Sequence, residues 1–155
     1  MKILIKTNNV QTTLNKLVER VENTLPALNT YIKDVVYPAI MENFFLEGKR
    51  VYGWFPLKES YRVWKEQHFP GRKMLYLTGD LQASFRPGGF QNVLINKGQA
   101  EIRYGTAVRY ARELQYGNED KNLFPRTFVF VDRKMVKGFK DVLLHHLMRG
   151  FTYVR

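Results

Sequence analysis

Val10, Leu14, Leu17, Val18 and Val21 recur at steps of three and four residues, the spacing that lines one face of an α-helix. After Pro26 a longer stripe follows, Leu28, Tyr31, Ile32, Val35, Val36, Ala39, Ile40 and Phe44. Two amphipathic helices are therefore expected to open the chain. Pro38 lies inside the second and has no N–H to give, so a kink or an early stop is expected there.

The helical period breaks over about 48–73, in GKRVYGWFPLKESYRVWKEQHFPGRK. A short helix from about Ser60 to Gln67 would put Tyr61 and Trp64 on one side, and the remainder reads as an irregular, partly mobile arm, basic and aromatic. In LTGDLQASF, Thr78 is the expected N-cap of a short helix from Gly79 to Ser84, with Asp80 well placed in its first turn.

Phe90–Ile95 and Ala100–Tyr104 flank NKGQ and read as a hairpin, Gly98 supplying the positive backbone angle. GTAVRYARELQYGN follows, with Thr106 as N-cap and Gly117 as C-terminal cap of about three helical turns. Its expected core face holds Ala107, Tyr110, Ala111 and Leu114, and its other face Arg109, Arg112, Glu113 and Tyr116. Arg109 in the first turn would oppose the helix dipole, which points to a role in contact and not in helix stability.

TFVFV is β-prone, giving a strand near 127–131. Met135, Val136, Phe139, Val142, Leu143, His146 and Leu147 then form the stripe of a last helix ending near Gly150. The chain shows no internal repeat. The expected fold is α+β, one domain over 1–155, with a small antiparallel sheet (hairpin about 90–104 plus a strand near 127–131) packed with N-terminal, central and C-terminal helices.

Composition narrows this further. With 45% hydrophobic and 14% aromatic residues the chain has enough apolar surface to offset chain entropy, which excludes a disordered class. The absence of cysteine excludes disulfides, a thiolate nucleophile and zinc–cysteine sites. No segment approaches the roughly 18 apolar residues that span a bilayer, and the N-terminus has no cleavage signal, so a cytosolic, soluble protein with no membrane partner is expected. The net charge of +11 is uneven: residues 1–47 hold five basic and five acidic side chains, leaving 20 and 9 in 48–155. Such asymmetry points to a polyanion or an acidic partner surface, or equally to a solvated basic face.

Candidate chemistry is sparse. His145 and His146 are adjacent on a helix, about 100° apart, whereas shared metal ligation prefers i and i+4. His68 stands alone in the basic arm. No GxSxG, Walker loop, HExxH or dinucleotide fingerprint occurs, so no catalytic, cofactor-binding or metal residue is assigned and an enzyme is not expected. The mixture of bases with Trp54, Phe55 and Trp64 raises a nucleic-acid alternative, in which the basic surface of 48–155 holds phosphates and exposed rings stack on bases. Against it stands the reading in which those rings fold back onto the core.

Four segments in order, GWFPLKESYRVWK, LYLTGDLQASF, IRYGTAVRYARELQYG and FPRTF, resemble the phage virion morphogenesis family of tail completion proteins, known from Mu-like and P2-like tailed phages. The resemblance falls on Trp54, Pro56, Leu57 and Lys65, then Leu75, Thr78, Gly79, Leu81 and Ser84. It continues through Gly105, Thr106, Tyr110, Ala111, Gln115, Gly117, Pro125, Arg126 and Phe128. Thr127 stands where the family usually has a second proline.

The resemblance implies a structural protein of phage or prophage origin, without catalytic residues or cofactors, that completes the tail or joins tail to head. Phage tail and neck proteins would be its partners, and a homo-oligomeric ring its working form. It would act in the bacterial cytoplasm during assembly and then in the virion. Arg109, Arg112, Tyr116 and Arg126 are the candidate interface residues, with nonspecific DNA contact a further use of the basic surface.

Overall fold

The computed structural model describes residues 2–3, 10–97, 100–149 and 153–154. The first stripe forms α1 (Val10–Glu22) as expected, but α1 buries none of its residues. Val10, Leu14, Val18 and Val21 are 37 to 58% exposed. Leu17 and Arg20 face inward instead, and the Arg20 guanidinium donates to the Leu147 carbonyl at 3.2 Å and to that of Arg149, satisfying the carbonyl end of the last helix.

The second stripe runs as α2 (Leu25–Tyr31), a π turn (Ile32–Val36) and α3 (Tyr37–Phe45), with Pro26 and Pro38 each in the first turn of its segment. Pro38 neither stops this helix nor removes a bond that the turn needs. The chain widens to i→i+5 bonding just ahead of it, where the Tyr37 N–H reaches the Ile32 carbonyl, and absorbs the missing donor there.

β1 (Lys2–Ile3) pairs with β4 (Tyr153–Val154), and the hairpin joins β2 (Asn92–Lys97) to β3 (Glu101–Thr106), antiparallel from Asn92 opposite Thr106 to Lys97 opposite Glu101. The first strand sits two residues later than its sequence pattern indicated and the second starts one residue later and ends two later; Phe90 is 87% exposed and Gln91 takes a positive φ of 60° before the pairing begins. Gly98, assigned to its turn, and Gly150, assigned to the end of the last helix, lie outside the described residues.

Between these elements stand α4 (Glu59–His68), α5 (Asp80–Ala83), α6 (Ala111–Tyr116) and α7 (Arg133–Met148), completing an α+β fold. α7 starts on an N-cap: Asp132 accepts from the Met135 N–H at 2.7 Å. Burial pushes the Asp132 carboxyl up, but that N–H and the Arg50 guanidinium at 2.9 Å overcome it and hold it below the usual carboxylate range. Arg50 also pairs with Glu42, so one guanidinium ties α3 to the start of α7.

The core is Ile40, Phe44, Leu81, Phe85, Val108, Ala111 and Phe128. Phe44 stacks on Phe128 at 5.4 Å, Phe85 meets Phe128 edge-on at 5.8 Å, and Trp54 meets Phe44 edge-on at 5.7 Å. The hairpin is fastened to this core at its open end. Tyr104 donates to the Phe85 carbonyl, Ser84 and Thr106 share a hydroxyl bond of 2.6 Å, and the Asn92 amide donates to the Ser84 carbonyl at 2.9 Å.

The strand expected near 127–131 does not form. Its backbone is satisfied by side chains in place of a neighbouring strand: Gln115 accepts from the N–H groups of Phe128 and Val129 at 2.9 and 3.0 Å and donates to the Val129 carbonyl at 2.8 Å. The Thr127 carbonyl accepts from Asn43 at 3.0 Å and from the Trp54 indole at 2.9 Å. The β-prone composition of TFVFV thus serves to bury Phe128, since buried backbone groups need partners but not necessarily a ladder.

Phe128→Ala is expected to cost about 3–5 kcal/mol in urea unfolding, as for other large core aromatics. Val18→Ala, on the exposed stripe of α1, is expected to stay within about 1 kcal/mol of the parent in the same measurement.

Candidate partner-binding groove

The irregular segment Trp54–Lys58 leads from the core into α4. Trp54 is its anchor, held by the Thr127 carbonyl and the Phe44 ring. Gly48 makes room for it, since its φ is 81° and a Cβ there would lie 2.3 Å from the indole. Of the three rings that were weighed between core and nucleic-acid contact, only Trp54 returns to the core. Phe55 is half-exposed and stacks on Phe124 at 4.9 Å; Trp64 is 40% exposed and lies between Tyr61 and His68, at 5.5 and 4.8 Å.

Along this segment runs a groove of about 750 Å³. It is lined by four segments, Pro56–Lys58 with Tyr61 and Lys65, Leu75–Leu81, Tyr110 with Glu113 and Leu114, and residues 121–124 with Arg126. The volume lies in the range of about 300–1,000 Å³ typical of ligand sites, and the lining is mostly apolar. Three glycine or cap positions shape it. Gly117 closes α6 with a φ of 79°, and a Cβ there would meet the Leu123 carbonyl at 2.7 Å, so only glycine lets residues 117–125 double back. Gly79, not Thr78, is the N-cap of α5. Thr78 stands one residue earlier and donates its hydroxyl to the Asp80 carboxylate at 2.6 Å.

Two of the lining residues are buried cations. Lys65 is 5% exposed and donates its ammonium to the Lys73 carbonyl; burial pushes its pKa down against the pull of Glu47 and Glu66. Arg126 is 4% exposed, and burial likewise pushes its pKa down. Its guanidinium makes one long contact, 3.4 Å to the Pro56 carbonyl, and its Nε has no partner. Among the described residues no carboxylate pairs with it. The acids of the groove are already engaged, Glu113 with Lys121 at 2.7 Å and Asp80 with Thr78.

The structure separates the candidate interface residues. Arg109, Arg112 and Tyr116 are exposed, with Arg112 and Tyr116 one turn apart on α6. Arg126 is buried in the groove, so it does not share their surface. The helix expected from Thr106 begins only at Ala111, because Thr106 is the last residue of β3 and its hydroxyl accepts from the Val108 N–H at 3.1 Å, forming a turn. Arg109 therefore precedes the helix and does not oppose its first turn.

Tyr110, assigned to the core, is 47% exposed and lines the groove; Val108 fills the core position beside Ala111, and Ala107 is exposed. Sequence reasoning missed Lys65 and Arg126 as buried polar residues and Gln115 as a half-buried one that bonds the backbone of 128–129. The only signal was that each stands in a motif segment without an obvious surface role.

His68 contacts the Trp64 carbonyl at 2.8 Å and His146 the Asn23 carbonyl at 3.0 Å. Among the described residues no group of three or more His, Asp or Glu is placed to hold a metal, and no helix is long and apolar enough to cross a membrane.

A buried guanidinium without a carboxylate is a cost to the fold. Arg126→Met is therefore expected to leave urea stability unchanged or raise it by about 1 kcal/mol. Val108→Ala is expected to cost roughly 2 kcal/mol, and Tyr110→Ala about 1 kcal/mol or less, so the order of the two midpoints checks which residue belongs to the core.

Comparison with protein-family models, with curated proteins and with solved structures finds no match to this chain.

Proposed function

We propose that this chain is a non-enzymatic structural protein of phage or prophage origin that acts in virion morphogenesis, completing the tail or joining tail to head. One observation carries the reading. The four segments of the ordered resemblance, distant in sequence, converge on one core and one groove: Trp54 and Phe128 at the core, Leu57, Leu75, Gly79, Tyr110 and Arg126 around the groove. A shared pattern that builds a single concave surface fits a protein whose work is binding.

In this reading the protein acts in the cytoplasm of the bacterial host during assembly and then stays in the virion, with tail and neck proteins as partners. A ring brings one patch of each copy against a different patch of the next. Arg109, Arg112 and Tyr116 are exposed and of the types that interfaces favour, and among the described residues their side chains make no hydrogen bond or ion pair.

A second reading, a nucleic-acid-binding accessory protein, is favoured by the half-exposed Tyr61, Trp64 and His68 stack on α4 and by the placement of the whole net charge in 48–155. The two readings part on salt. Binding to DNA would weaken steeply as salt rises, since phosphate contacts release counterions.

The Arg109→Ala, Arg112→Ala double variant is expected to keep its urea midpoint within about 0.5 kcal/mol. In a phage deleted for the gene, it is expected to leave unjoined heads and tails in electron micrographs, where the parent gene restores whole particles. Joined, infectious particles from the deletion itself would overturn the assembly reading. Duplex affinity at low salt that falls about a hundredfold or more between 50 and 200 mM would favour the second.

A further inference from the structure

The unpaired guanidinium is the feature of the groove that the fold does not explain. Arg126 is 4% exposed, lines an apolar groove and has an Nε without a partner, while Asp80 and Glu113, the acids nearby, are bound to Thr78 and Lys121. A buried cation is retained at a cost to stability when something outside the chain completes it. The natural complement of a guanidinium is a carboxylate, which accepts two parallel N–H bonds from it.

The wall beside Arg126 adds a second constraint. The guanidinium lies against the Pro56 carbonyl, in the irregular segment Trp54–Lys58. Among the described residues, the backbone N–H and C=O groups of Phe55 and Leu57 have no hydrogen-bond partner. Leu57 is half-buried and lines the groove, and Lys58 after it is extended, with φ -55° and ψ 140°, so backbone with open bonding positions borders the apolar space. Backbone of this kind accepts another extended chain, whose alternate side chains then enter the adjoining pocket.

We infer that the groove docks an extended peptide segment of a partner protein, one that carries an Asp or Glu between apolar side chains, pairs its carboxylate with Arg126 and lays its backbone along Leu57. The apolar lining takes the flanking side chains, and exposed Lys58 at the mouth favours acidic over basic sequences. The inference goes beyond the assembly reading and does not depend on it, since it concerns peptide chemistry and not which particle the protein serves.

The test uses the full chain, fluorescently labelled, on arrays of capped hexapeptides. One central position is fixed as Asp, Glu, Gln or Lys, and the others vary among Leu, Ile, Val, Phe, Tyr and Ser. Asp and Glu peptides are expected to bind at least about tenfold tighter than their Gln and Lys counterparts. That preference is expected to vanish in Arg126→Met and to persist in Arg112→Ala. Leu57→Glu, which places a like charge at the groove edge and leaves Arg126 in place, is expected to weaken the acidic peptides about tenfold and serves if Arg126→Met does not fold by circular dichroism. Absence of an acidic preference, or its survival in both groove variants, would overturn the inference. So would saturation of the groove by octanoate with no peptide binding, which would mark a small-molecule site, or displacement of the peptides by self-association in sedimentation.

Discussion

Three phenylalanines from three distant parts of the chain, Phe44, Phe85 and Phe128, meet at ring separations of 5.4 to 6.2 Å, and the remaining structure is arranged around their contact. Phe44 needs α3 to continue past Pro38, which the π turn ahead of it allows. Phe85 needs α5 to end where it does, and its carbonyl then receives Tyr104 and fixes the hairpin. Phe128 needs an irregular backbone to enter the core, and Gln115 provides the bonds that make that backbone affordable. Each ring contributes some 1.5–3 kcal/mol by burial alone, but the geometry they impose on their flanking segments matters more for function.

Amphipathic period made most helices legible, because a helix that packs by one face must carry that face in its sequence. Val10 to Glu22 and Arg133 to Met148 were visible for this reason, as was the longer stripe through Phe44. The stripe of α1 was legible as a helix but not as a surface, since period reports a potential face and not whether anything covers it. TFVFV and GTAVRY misled for a related reason. Branched and aromatic residues fit a strand or a core loop equally, and Thr106 can cap a helix or close a turn; the choice is made by Gln115 and Ser84, which lie elsewhere in the sequence. The groove was not legible at all, because its walls come from four segments whose convergence is a property of the packed core. Burial of Lys65 and Arg126 follows from that convergence, and no local pattern announces a buried cation.

Arg126 is a residue that stability alone does not favour. A chain selected only to fold would replace Arg126 with an apolar side chain of similar length or give it a carboxylate from within. Instead the nearby carboxylates of Asp80 and Glu113 are held by a hydroxyl and a lysine of their own. The lining acids thus have partners of their own, while the buried Arg126 has no carboxylate among the described residues.

The Thr127 carbonyl receives donors from Asn43, 84 residues away, and from Trp54, 73 residues away. Each bond closes a long loop whose entropy must be met before any contact is gained. A chain made from its N-terminus outward completes α1, α2 and α3 well before residue 127 exists, so helix formation and core formation are separated in time during synthesis. Through that interval Asn43 and the Trp54 indole lack this acceptor, and Phe44 and Phe85 lack the Phe128 ring. The Thr127 carbonyl thus joins segments that leave the ribosome at different times, and the core around it closes only once residues 127 and 128 have emerged.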